Sequence, residues 1–161
     1  MGIPKLEMTP TLETMYAHYG IASHFAHNIE KRLVLLLLGP EWVKHKPLTS
    51  DKIEKIYETL NKDTLGGLVK RFNQCGVKHS ELRERLKYVL KKRNYLIHHF
   101  FGSRDLKIYE QKIQEEMIKE LKEIVNLLAS ANAFFEHLAM PILEDLRLTN
   151  KTQQELAKLS I

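Results

Sequence analysis

The chain has 161 residues, enough for one domain with a single substantial core. Hydrophobic residues make up 43% and charged residues 28%, an ordinary globular balance, and the net charge of +5 permits a polyanionic partner without demanding one. The lone Cys75 excludes an internal disulfide and fits a reducing cytoplasm, and the longest apolar run, Leu33 to Leu38, is far short of the roughly 20 residues of a membrane span.

With only 7 Gly and 5 Pro, the chain has few places to turn, so long helices are expected. The opening MGIPKLEMTP lacks the charged-then-apolar layout of a signal peptide, and Leu6 speaks against myristoylation at Gly2. Thr11 to Leu38 reads as the first helix. Met15, His18, Ala22, Phe25, Ile29, Leu33 and Leu36 recur at steps of three and four. Gly39-Pro40 is expected to stop it, leaving Glu41 to Pro47 as a connector that carries Trp42. Ser50 is the next predicted N-cap, before the apolar face of Ile53, Ile56, Tyr57 and Leu60. Asp63 or Thr64 caps a short helix through Leu65, Leu68, Val69 and Phe72, disfavoured by about 1 kcal/mol for each of Gly66 and Gly67. Gly76 closes it.

Ser80 opens a helix over residues 80 to 101, stopped by Gly102-Ser103. Asp105 opens the last long helix. Leu106, Tyr109, Ile113, Met117, Leu121, Ile124, Leu128, Ala131, Phe135 and Leu138 repeat at near-heptad spacing, and Pro141 is expected to end it. That period favours helix packing, as core or as dimer surface. Residues 144–161 read as a polar, weakly helical tail of one domain spanning 1–161. The fold class is all-α: a bundle of four main helices plus short ones.

One residue breaks the pattern. On a wheel at 100° per residue with Arg93 at zero, Leu82 and Phe100 lie near −20°, Leu86 near +20°, Val89 near −40° and Ile97 near +40°. Leu90 and Leu96 fall about 60° to either side. Arg93 therefore sits at the centre of an apolar stripe, while Glu84, Tyr88, Lys91 and Tyr95 lie opposite. A charge there is costly unless it snorkels from a bundle end, meets a carboxylate such as Glu30, or faces a ligand. His98 lies about 140° from Arg93, so one straight helix does not aim both at one atom. Either the helix ends or bends near His98, or a second chain supplies the other half.

The residue types fit metal-free RNA cleavage. A histidine can take the proton of the 2′-hydroxyl. An arginine can grip a phosphate through its planar fork, and Asn94 adds a neutral polar contact. Histidines at 98 and 99 are equally at home in a last helical turn, where a cation is favoured by roughly 0.3–1 kcal/mol. Arg83, Arg85, Lys87, Lys91, Lys92 and Arg93, with Tyr88 between them, form a basic stretch that suits an RNA backbone or a solvated face.

Arg93-Asn94-x-x-x-His98 resembles the R-x4–6-H motif of the HEPN superfamily (higher eukaryote and prokaryote nucleotide-binding domains). The resemblance extends to the all-α organisation of most of the chain. It implies a HEPN-like helical bundle, a homodimer, and a metal-independent endoribonuclease acting on single-stranded RNA or tRNA as a toxin or defence effector. Arg93 would hold the scissile phosphate, His98 would serve as base or acid, Asn94 would assist, and a 2′,3′-cyclic phosphate would result. Lys87, Lys91, Lys92 and His99 are the expected RNA contacts, and a cognate antitoxin or regulator is an expected partner. Some members are non-catalytic modules that bind RNA, nucleotide or protein. In members paired with a nucleotidyltransferase antitoxin the pattern is R-x4-H-x-Y. Here the last position is Phe100, which has no hydroxyl to modify.

Neither cofactor nor metal is expected. His24 and His27 are three apart, but no CxxC or HExxH accompanies them, and His18 reads as a core histidine. Cys75 has no recognisable base beside it in sequence, and Gly66-Gly67 lacks phosphate-loop spacing.

Overall fold

The computed structural model describes residues 8–44, 50–75, 80–102, 104 and 107–147. Over these the chain is all-helical: α1 (Pro10–Lys44), α2 (Ser50–Asn61), α3 (Leu65–Gln74), α4 (Ser80–His98) and α5 (Gln111–Arg147). No strand occurs among the described residues. The connector at 45–49, Gly76, Ser103, Asp105, Leu106 and the tail from 148 onward lie outside them, as do the side chains of Trp42 and Ile53.

Local chemistry starts two helices clearly. The Thr9 hydroxyl accepts the Leu12 amide at 3.2 Å with Pro10 at the first helical position, and the Thr64 hydroxyl accepts the Gly67 amide at 3.2 Å. Thr64, not Asp63, is thus the cap of α3. Asp63 is engaged instead by the Arg71 guanidinium across that short helix.

α1 and α5 form the frame. Arg32 pairs with Glu136 at 3.3 Å, and Gly39 lies against Ile142, so both helices run in the same direction. α4 returns antiparallel to both, since Glu30 meets Arg93 while Tyr19 meets Phe100, and Arg85 covers Phe134 while Arg104 meets Glu120. α2 and α3 pack on α1. The core runs between these helices, with Met15, Ile29, Leu33, Leu86, Leu96, Met117, Leu128 and Phe135 fully enclosed.

Both expected proline stops are corrected. α1 continues through Gly39-Pro40 to Lys44, and α5 continues through Pro141 to Arg147. A proline inside a helix costs about 3 kcal/mol, and here packing offsets it. Leu33 to Leu38 are all buried, and Ala139 and Leu143 flank Pro141 in the core. Gly39 serves close approach instead of termination. A Cβ built there would lie 3.0 Å from Ile142 Cδ1.

The start of α5 also differs from its expected place at Asp105. Regular helix begins at Gln111, preceded by turns in which Lys107 N–H donates to Arg104 C=O and Glu110 N–H to Lys107 C=O, both at 2.9 Å. Tyr109, expected on the apolar stripe, is 66% exposed, and Ile108 is buried in its place. The buried Gln114 side chain donates to the Ile108 carbonyl at 2.8 Å, fixing this register. His18, read as a core residue, is only half-buried and bonds the Thr14 carbonyl of its own helix through Nδ1, at 2.8 Å.

Gly39→Val should lower stability by about 1–3 kcal/mol, the usual cost of overpacking. Adding Ile142→Ala should recover part of that loss. Urea midpoints with unchanged slopes measure both.

Candidate functional site at the seam of α1 and α4

α4 carries the motif residues, and its C-terminal end shapes them. The amides of His99 and Phe100 both donate to the Tyr95 carbonyl at 2.9 Å, closing the helix at His98. The predicted helix to residue 101 is therefore shortened to His98. Phe100 then turns inward and is completely buried. Its ring meets Tyr95 edge-on at 6.2 Å, and Phe101 lies 4.9 Å from Tyr19 on α1. These aromatic contacts pin the end of α4 to α1. A residue at position 100 here cannot present a hydroxyl to solvent.

Arg104 locks the outgoing turn. Its guanidinium donates to Glu120 at 2.8 Å, to the Phe100 carbonyl at 3.3 Å and to the Tyr95 hydroxyl at 3.4 Å. It also lies over the Phe100 ring at 5.3 Å. Burial, with the Glu120 carboxylate beside it, holds the Tyr95 phenol above its ordinary value of 10.0.

Arg93 is a quarter exposed and reaches α1. One terminal nitrogen lies 3.1 Å from Glu30, whose side chain is equally exposed, and the other donates to the Asn94 carboxamide oxygen at 3.2 Å. The stripe position that looked anomalous is thus met by a carboxylate on the neighbouring helix. Glu30 has a second neighbour: its other oxygen lies 3.8 Å from His27 Nδ1. A polar row therefore crosses the seam, from His27 through Glu30 and Arg93 to Asn94. His98 stands one turn beyond Asn94, exposed, its ring 6.3 Å from that of His99. Arg93 and Asn94 are brought together. His98 is not among Arg93's polar partners.

The apolar stripe is narrower than the wheel suggested. Leu90 is half-buried and Ile97 is 44% exposed, because α1 leaves that flank of α4 open. The same flank carries Arg83, Lys87 and Lys91, all exposed, alongside Asn94 and His98. Lys92 diverges, with its ammonium 5.8 Å from the Tyr88 ring. Arg85 is paired with Glu81 at 2.9 Å and covers the Phe134 ring at 4.5 Å, so it belongs to the packing against α5.

His27 is the residue the sequence did not single out for this row. The signal was present in its position three residues before Glu30, on one face of α1. Among the described residues, no three His, Cys, Asp or Glu side chains converge as a metal site. No helix among them is long and apolar enough to cross a membrane. No protein-family model, curated protein or solved structure matches the chain.

Two outcomes test this geometry. A double-mutant cycle on Glu30→Gln and Arg93→Met should give a coupling energy of about 1 kcal/mol, as for linked polar pairs that are only partly exposed. Because the folded-state value of Tyr95 is raised, its contribution to stability is full below pH 10 and falls as pH rises through the folded-state value. Tyr95→Phe should remove that alkaline loss, read from urea midpoints on either side of pH 10.

Proposed function

We propose that the chain is a HEPN-type endoribonuclease, a homodimer that cleaves single-stranded RNA or tRNA by attack of the 2′-hydroxyl, without a metal, as a toxin or defence effector. One observation supports it most. Arg93 and Asn94 form a partly buried polar pair at the seam, beside an open basic flank of Arg83, Lys87 and Lys91 that leads to His98.

The chemistry asks for little more. An arginine has five N–H donors, and the contacts to Glu30 and Asn94 leave roughly three for phosphate oxygens. The 2′-oxygen bonds to phosphorus as its proton passes to a base. The bond to the 5′-oxygen breaks as that oxygen takes a proton from an acid. The products are a 2′,3′-cyclic phosphate and a 5′-hydroxyl. His98 fits one of the two proton roles. Lys87 and Lys91 would track the strand, Lys92 and Tyr88 would border it, and His99 would flank the site. A second copy would bring another His98 towards Arg93, answering their divergence on one helix. A cognate antitoxin or other regulator would act by covering this flank.

A second reading has its own support. Glu30 balances Arg93, and His98 stands apart from it, as suits a non-catalytic HEPN-like dimer that binds RNA, nucleotide or a protein partner. Incubation with single-stranded RNA and tRNA in EDTA separates the two. The ribonuclease leaves 2′,3′-cyclic ends, and His98→Ala and Arg93→Ala each slow it by about 10²–10⁴-fold. Binding without cleavage, with a salt slope that drops by about one for Lys87→Ala, supports the second reading instead.

A further inference from the structure

We infer that α1 contributes two residues to this site: His27 as the second proton-transfer group and Glu30 as the positioning residue that anchors Arg93 beside His27. This assignment rests on the ribonuclease reading above and adds to it a role for the same chain's first helix.

The geometry starts at the Glu30 carboxylate. One oxygen lies 3.1 Å from the Arg93 guanidinium and the other 3.8 Å from His27 Nδ1. The Glu30 carboxylate stands on the Nδ1 side of the His27 ring, so Nε2 lies across the ring from it. His27 is 61% exposed at the side chain, so that nitrogen can be reached by a strand lying along the seam. Glu30 is only a quarter exposed, which suits a positioning group better than a substrate contact.

In-line displacement puts the entering and leaving oxygens on opposite sides of phosphorus. A phosphate held by Arg93 therefore needs proton-transfer groups on both sides. On α4 that group is His98, brought in by the second copy as proposed above. On α1 it is His27, which stands 3.8 Å from the carboxylate that bonds the same guanidinium. The row His27, Glu30, Arg93, Asn94 spans the seam in that order. His24 is a natural control. It lies three residues from His27, is exposed, and its Nε2 contacts the Asn28 side chain at 3.0 Å.

The test uses the full chain and a fluorophore–quencher RNA oligonucleotide in EDTA, with melting temperatures recorded for every variant. His27→Gln should lower kcat by about 10²–10³-fold with KM within about twofold. Glu30→Gln should chiefly raise KM, by about tenfold, because the guanidinium loses its anchor. His24→Gln should match the wild type. His27→Ala should regain activity when free imidazole is added, which a purely structural histidine would not do. Cleavage by the wild type that persists within twofold in His27→Gln overturns the assignment and leaves the ribonuclease reading standing. So does an inactive but folded His27→Ala that imidazole fails to rescue. A folded wild type that cleaves none of the RNAs overturns both.

Discussion

Leu33 to Leu38 present apolar side chains on every side of α1, and each of them is buried. A helix segment that is apolar all round has to be enclosed. α5 runs alongside it in the same direction, and α2 and α3 close the remaining sides. This enclosure carries α1 past Gly39-Pro40 and sets the close approach of Gly39 to Ile142. α4 returns antiparallel to both long helices.

The N-terminal half of α1 has a different character. It turns a mixed face towards α4, where Tyr19 meets Phe100 and Glu30 meets Arg93. Where aromatic residues meet, at Tyr19, Phe100 and Phe101, the seam is closed. Farther along α4, at Arg93, it is polar. An ion pair with both partners a quarter exposed is worth little as a source of stability, since desolvation offsets much of the attraction. Its effect is geometric: contacts on two of its terminal nitrogens restrict the orientations of the Arg93 guanidinium.

The turn after α4 matters for the same reason. Arg104 bonds Glu120, Tyr95 and the Phe100 carbonyl, so the chain leaving His98 is tied to α5. The two histidines then sit at the end of a helix whose last turn cannot unwind freely. A site built on rigid elements holds its spacing better than one built on a loop. The flank with Arg83, Lys87 and Lys91 is exposed to solvent.

Much of the fold was legible because helix periodicity is local. The apolar steps, the scarcity of glycine and proline, and the cap at Thr64 led to an all-α reading with the helices in the right order. Arg93's place on an apolar stripe was equally visible, and with it the need for a partner. Tertiary structure decided the rest. Gly39-Pro40 and Pro141 stop helices by local rule, yet surrounding packing outweighs a few kcal/mol of local penalty. Tyr109 and Ile108 differ by one residue on the wheel, and only Arg104, Gln114 and their partners choose between them. The sequence offered Glu30 as one candidate among 20 acidic residues. The antiparallel return of α4 along α1 selected it and placed His27 beside it, because which side chains meet across two helices depends on their direction and register, which no local pattern records.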